Sequence, residues 1–304
     1  MKILVTGRDG QVGGELARAL VGLGDLIVLG RTHMDLSDPD SIRHAIRAER
    51  PTLIINAAAY TAVDLAESEQ ALAYAINAQA PGILAEEAKH LGAALIHYST
   101  DYVYDGSKQA PWIETDATGP LSVYGQSKLA GEQAIAAVGV PHLIFRTSWV
   151  YGLTGKNFLL TMLRLAQSRP ELSIVSDQIG APTWSRTIAE ATAVALKKAE
   201  NPDRLSELSG VYHLCAGGQT SWYGFAEKIF SHPFVVQKPT LKPIPTKDYP
   251  TPAQRPKNSV MSTTSFQQNF GSLPAWDEAL AVCLSSIPAE APHLLQTILI
   301  HQID

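Results

Sequence analysis

The chain has 304 residues, 45% of them hydrophobic and 17% charged, a balance that builds a core and excludes a disordered polymer. Its net charge is −5 and it carries no lysine or arginine cluster, which argues against a nucleic-acid partner. The two cysteines, Cys215 and Cys283, lie far apart and offer neither a disulfide framework nor a zinc site; with no signal peptide and no apolar run near the ~18 residues that span a bilayer, the expected location is cytoplasmic and free of membrane.

Lys2-Ile-Leu-Val-Thr6 is an apolar run that stops at Gly7-Arg-Asp-Gly10-Gln-Val-Gly13, after which Val12, Leu16, Ala19, Leu20 and Leu23 recur at helical spacing. A buried strand, a glycine turn and a helix open a dinucleotide-binding fold. Glycine lets the backbone approach a pyrophosphate, which sits at the positive helix N-terminus. Gly7, Gly10, Gln11 and Val12 are therefore cofactor candidates. The spacing is G-x-x-G-x-x-G and not G-x-G-x-x-G, so a glycine turn without a ligand is the plainer alternative. Leu26-Ile-Val-Leu29 reads as the second strand. Where the usual fingerprint ends in an acid for the ribose hydroxyls, this chain has Gly30-Arg31. Arg31 either meets a 2′-phosphate or is a solvated surface cation. Asp35 and Leu36 fall close enough to border an adenine, and Ser37-Asp-Pro-Asp40 caps the next helix.

Leu53-Ile-Ile-Asn56 runs into Ala57, Ala58 and Ala59, small residues that suit either a cofactor lying over the sheet edge or a close helix crossing. Tyr60 to Asp64, with Thr61, is the loop expected over the cofactor, and a long helix is expected from about Gln70 to His90. The strand Ala94 to Thr100 contains Tyr98 and delivers the Ser99 and Thr100 hydroxyls to the crevice. Tyr124 and Lys128, four apart on the following helix, share one face. A nearby ammonium favours a phenolate, so the pair can exchange a proton, although Tyr-x-x-x-Lys alone is as well an ordinary helix face. His142 to Ser148 is the next strand. A helix from Thr187 to Lys198 and a strand from Val211 to Leu214 return to the sheet. Six prolines between Pro239 and Pro256 forbid a long helix or a central strand there. The expected fold is α/β, a Rossmann-like doubly wound parallel sheet. Residues 1–150 form the dinucleotide-binding domain, about 185–215 return to it, and 151–304 are mainly a smaller C-terminal substrate-binding lobe.

The Gly7–Gly13 loop, Thr61-Ala-Val-Asp64, His97-Tyr-Ser-Thr-Asp-Tyr-Val103, Val123-Tyr-Gly125, Phe145-Arg-Thr-Ser-Trp-Val-Tyr151 and Gly180-Ala-Pro-Thr183 resemble the extended short-chain dehydrogenase/reductases nearly end to end. Within them the chain is most similar to the branch that acts on 4-keto nucleotide sugars. The resemblance implies reduction of dTDP-4-dehydro-L-rhamnose to dTDP-L-rhamnose by NADPH, with NADH as the alternative. It makes Tyr124 the proton donor, with Lys128 on the nicotinamide ribose and depressing the phenol's pKa. Thr100 is placed on the reacting oxygen or the phenol and Asp101 beside the sugar. Trp149 is an apolar wall for the hexose, or, read from pattern alone, a core tryptophan. Some relatives gather glutamates around magnesium at a protomer contact. Glu15 fits the first position, but Arg186 stands at the second, which disfavours both the metal and that homodimer. Two other readings stay open. One is a non-catalytic relative resembling the regulatory subunit of methionine adenosyltransferase; the other is a nucleotide-sugar epimerase or dehydratase on the same scaffold.

Overall fold

Ile3, Leu4 and Val5 are fully buried because β1 (Lys2–Thr6) lies inside a six-stranded sheet. The computed structural model describes residues 1–199, 202–233 and 235–287. The strands run in the order β2 (Asp25–Leu29), β1, β3 (Leu53–Asn56), β4 (Ala94–Thr100), β5 (His142–Thr147) and β6 (Gly210–His213), and every neighbouring pair is parallel. Burial on both faces explains why β4 reads as a continuous run and not an alternating one.

The helices α1 (Gln11–Ala19), α2 (Pro39–Glu49), α3 (Ala80–Leu91), α4 (Val123–Val138) and α5 (Ser185–Lys198) cover the two faces. Leu16 and Leu20 with Ile188 of α5 pack on Ile3, Val5 and Ile55; α2, α3 and α4 pack Ile42, Leu84 and Ile135 on Leu4, Ile54 and Leu95. The first helix stops at Ala19, before Leu23, because Gly22 turns the chain at φ 84°. The stretch from Gln70 is not one uniform α-helix: a π turn at Ala75–Gln79 separates Gln70–Tyr74 from α3. Pro81 has no N–H to give the Asn77 carbonyl, and the winding widens there.

A second core holds the helices Phe158–Ala166, Trp222–Ser231 and Trp276–Ser285 together. Among the described residues Thr240–Ile244 pairs only with Glu171–Val175, so Pro243 sits in an edge strand, where a missing N–H is tolerated. Phe266 and Phe270, from a region expected in the lobe, insert instead into the main core; their ring centroids lie 5.8 and 6.4 Å from that of Phe145.

Candidate active site

The winding reverses between β1 and β3, and their carboxyl ends diverge into a crevice. A cleft of about 900 Å³ opens there, at the large end of small-molecule pockets. It is lined by Gly7, Gly10, Gln11, Val12, Gly30, Arg31, Asp35, Leu36, Ala57, Ala58, Ala59 and Thr61 at one end. Tyr98, Thr100, Asp101, Tyr124, Lys128 and Trp149 line the other. The residues singled out from the sequence for cofactor, substrate or catalysis thus line one cavity.

The nucleotide end fits a dinucleotide. Helix α1 has neither a side-chain cap nor an acid in its first turn, so its leading N–H groups are available to an anion. Gly7 has φ 79°, and a Cβ on Gly13 would fall 2.0 Å from the Gly7 carbonyl oxygen; only glycine permits this loop. Deeper in, Ser99 Oγ is buried without a hydrogen-bond partner while its residue lines the cleft. At the adenosine edge a Cβ on Gly30 would lie 2.6 Å from Asp9 Oδ2 and 3.2 Å from Arg8 Nη2. The Arg8–Asp9 ion pair therefore fills the space that an acid at the end of β2 would occupy. Arg31 is exposed and pairs with Asp35 at 3.4 Å. The Ser37 hydroxyl and N–H, more than Arg31, hold the Asp35 carboxyl below the usual carboxylate range.

The catalytic end is built on the first turn of α4. Ser122 Oγ caps it by accepting from Gly125 N–H, 3.2 Å away. A Cβ on Gly125 would sit 2.3 Å from the Tyr102 carbonyl oxygen, so glycine here lets the helix close on the end of β4. That approach brings the Tyr124 phenol close to the Thr100 hydroxyl, which acts to lower its pKa. Thr100 Oγ1 donates to Asp101 Oδ1 at 3.0 Å and accepts from Tyr102 N–H at 3.2 Å. Burial pushes the phenol up to about 12, with Thr100 pulling it down and Asp101 adding to the rise. Burial also raises Asp101 to about 6, against hydrogen bonds from Ser259, Thr100 and Ser148.

Lys128, one turn further along α4, reaches the end of β4. Its Nζ donates to the Tyr98 carbonyl at 2.7 Å and stands 3.2 Å from His97 Nε2, and burial brings it down to about 8. Nζ turns toward the sheet because its residue is 2% exposed and those are the polar atoms within reach.

Trp149 is half-buried with φ 46°, a left-handed conformation that costs a non-glycine residue roughly 1–3 kcal/mol. Its ring stacks on Trp222 at 3.6 Å and 5°, and both rings line the cleft. Trp222 carries no motif that sequence reasoning could have used. Asn77 was also missed. It accepts from Tyr60 N–H, and its Nδ2 reaches the Tyr60 carbonyl and Ser127 Oγ, tying the loop over the cleft to α4. Arg186 Nε lies 3.2 Å from Glu15 Oε2 and its guanidinium covers the Trp184 ring, so the glutamate of the magnesium pattern is paired within its own chain. Chelation of divalent ions should accordingly leave both turnover and oligomeric state unchanged; activity lost with chelator and restored by magnesium would contradict this.

A family model described as the RmlD substrate binding domain matches residues 1–288. The dTDP-4-dehydrorhamnose reductase of Burkholderia thailandensis is 49% identical over 297 residues, covering 94% of this chain and 99% of the relative. The chain belongs to the dTDP-4-dehydrorhamnose reductase family. The Escherichia coli K12 reductase is 48% identical over 300 residues, with 94% and 98% covered. Among solved structures, the family member from Bacillus anthracis in complex with NADP superposes with a TM-score of 0.85 at 35% identity, covering 93% of this chain and 98% of that one. The Thermus thermophilus UDP-glucose 4-epimerase shares the fold, with a TM-score of 0.78 at 21% identity, covering 94% and 98%. Among the described residues no helix is long and apolar enough to cross a membrane.

Proposed function

We propose that the protein reduces the 4-keto group of dTDP-4-dehydro-L-rhamnose to dTDP-L-rhamnose with NADPH. The observation that carries this reading is that Tyr124 and the hydrogen-bonded pair Thr100–Asp101 line the same cleft as a glycine loop on an uncapped helix N-terminus. The loop and the leading N–H groups of α1 would hold the pyrophosphate of the cofactor, with Ala57 to Ala59 beside it. NADPH, when bound, supplies the hydride.

The chain's own residues manage the proton. Tyr124 gives its phenolic proton to the ketone oxygen as negative charge develops there. Thr100 then turns its hydroxyl proton from Asp101 toward the phenolate, which keeps the buried oxygen paired. Lys128 would hold the nicotinamide ribose when the cofactor is bound, and its charged form would place positive charge on the side of α4 that carries Tyr124. Trp149, backed by Trp222, forms the apolar wall for the hexose. A pure binding module needs no such proton donor, which weighs against the non-catalytic reading. Asp101 is followed by Tyr102, which does not complete the acid–base pair expected of a dehydratase. The reading also takes the protein as cytoplasmic, and as a homodimer, if it forms one, without the magnesium contact.

Purified protein should oxidise NADPH with dTDP-4-dehydro-L-rhamnose and more slowly with other 4-keto nucleotide sugars. No turnover with that substrate would end the proposal. Arg31 and cofactor choice can be read in the same assay. A charge-assisted contact to the 2′-phosphate is worth about 1.5–3 kcal/mol, but the Arg31 side chain is 75% exposed and solvent screens it. Arg31→Ala should lower kcat/KM for NADPH by roughly tenfold, with NADH hardly affected and the preference shrinking as salt rises. An unchanged NADPH-to-NADH ratio would make Arg31 a plain surface residue.

A further inference from the structure

Behind the cleft, a row of buried hydrogen bonds runs from the loop after β3 to Lys128. Ala58 N–H donates to Thr6 Oγ1 (3.1 Å), and Thr6 Oγ1 donates to Asn56 Oδ1 (2.7 Å). Asn56 Nδ2 lies 3.1 Å from His97 Nδ1, and His97 Nε2 lies 3.2 Å from Lys128 Nζ. The parallel register creates the row: Thr6 is opposite Asn56, Asn56 is opposite His97, and all three face α4. None of the four side chains belongs to a residue more than 2% exposed.

Donor and acceptor arithmetic gives this row a direction. A neutral imidazole has one N–H, so one ring nitrogen donates and the other accepts. Thr6 already accepts from Ala58, and its own proton needs an acceptor, so the Asn56 carbonyl faces Thr6 and the amide NH₂ faces His97. His97 Nδ1 must then accept, which leaves the ring proton on Nε2, aimed at Lys128. A lysine amine can receive that proton, and an ammonium cannot. When Lys128 is an ammonium, Nε2 must accept instead, the ring proton moves to Nδ1 and the Asn56 amide turns over. The Thr6 hydroxyl then faces an NH₂ group, a penalty carried by the charged form.

We propose that His97 is a positioning residue whose tautomer is coupled to the protonation of Lys128, and that the Thr6–Asn56–His97 relay favours the amine form. Loss of one proton from Lys128 to solvent goes with transfer of the ring proton from Nδ1 to Nε2, so the balance is one proton released. The relay acts in the same direction as burial, which brings Lys128 down to about 8 and holds His97 well below the usual imidazole range. The charged group that acts on the pair is Glu132 on α4. Glu132 raises Lys128 but is itself engaged by Arg146. β1 and β3 contribute only the non-titrating Thr6 and Asn56. Through Ala58, which lines the cofactor end of the cleft, the row also reaches the far side of the site.

The kinetic arm of the test rests on the reduction proposed above, and the spectroscopic arm does not. With ¹⁵N-histidine-labelled protein, the ring nitrogen of His97 that carries the proton should change from Nδ1 to Nε2 as pH rises through the titration of Lys128 near 8. One unchanging tautomer across that range overturns the coupling, whether or not the enzyme reduces the sugar. Asn56→Asp replaces the amide with a pure acceptor, forces Nδ1–H and favours the ammonium. The basic limb of the kcat/KM profile should then move up by about one pH unit, tenfold in proton affinity. In a His97→Gln background, whose side-chain amide can turn over, the same substitution should move the limb far less. A rate loss in Asn56→Asp that is uniform with pH, or an equal shift in both backgrounds, overturns the relay.

Discussion

Tyr124→Phe should lower turnover by at least ~100-fold, the usual worth of a positioned general acid, and leave NADPH affinity nearly unchanged. The substitution removes one oxygen and its proton. The ring keeps its edge-on packing against Tyr102 at 5.6 Å, and the Ser122 cap and Gly125 contact that orient the first turn of α4 involve no atom of the phenol. Thr100 Oγ1 retains its bond to Asp101, so no buried hydroxyl proton is orphaned in the variant. The loss should therefore appear in kcat and not in folding or cofactor binding. Measuring NADPH affinity by fluorescence titration alongside single-turnover reduction separates the two. A variant that reduces the sugar nucleotide at the wild-type rate would remove Tyr124 from the role of acid.

Glu132→Gln should produce the largest stability loss of any single polar substitution considered for this fold, about 3–5 kcal/mol. Arg146 Nε and Nη2 meet the two Glu132 oxygens at 2.9 and 2.6 Å, and Nη1 donates to the Tyr104 hydroxyl at 2.7 Å. Both side chains of the pair are 5% exposed, so the guanidinium left behind is an uncompensated buried charge. A thermal melt should show a fall on the order of 10 °C. Replacing both partners with apolar residues of similar volume should recover much of it, because the penalty lies in the orphaned charge and not in the lost attraction. A melting temperature within a degree of wild type for Glu132→Gln would refute this. The half-exposed Arg186–Glu15 pair provides the contrast: Arg186→Ala should cost roughly 1 kcal/mol or less.

The comparison between those two ion pairs also marks how far the chain could be read without coordinates. Glu132 and Arg146 are unremarkable as letters in a helix and a strand. Their energetic weight comes from meeting at a depth that no local pattern encodes. The strand, glycine-turn and helix rhythm was legible because burial writes its period directly into the sequence: Ile3 and Val5 to one face, Leu4 to the other. The candidate site residues were legible for a related reason. They lie at the carboxyl ends of parallel strands and on the first turns of the helices that follow, and a doubly wound sheet brings all such positions to one edge. Knowing the strands was enough to know that Gly7, Ala57, Thr100 and Tyr124 would meet.

What touches what inside that edge was decided only by the tertiary structure. Tyr124 and Lys128 share a helix face, yet the phenol turns to Thr100 while the lysine turns beneath the sheet to His97 and the Tyr98 carbonyl. Helical spacing sets a direction to within a face, whereas hydrogen-bond partners depend on tenths of an ångström set by the Gly125 contact and by strand register. His97 is 31 residues from Lys128 and read as part of a core strand; Asn77, Trp222, Phe266 and Phe270 were silent for the same reason. The sequence by itself determined a parallel sheet and the residues along its catalytic edge, since those follow from periodicity and chain order. The partners of the lysine and the wall of Trp149 on Trp222 arise from register and packing across the whole sheet and lobe, which are collective properties of the folded chain.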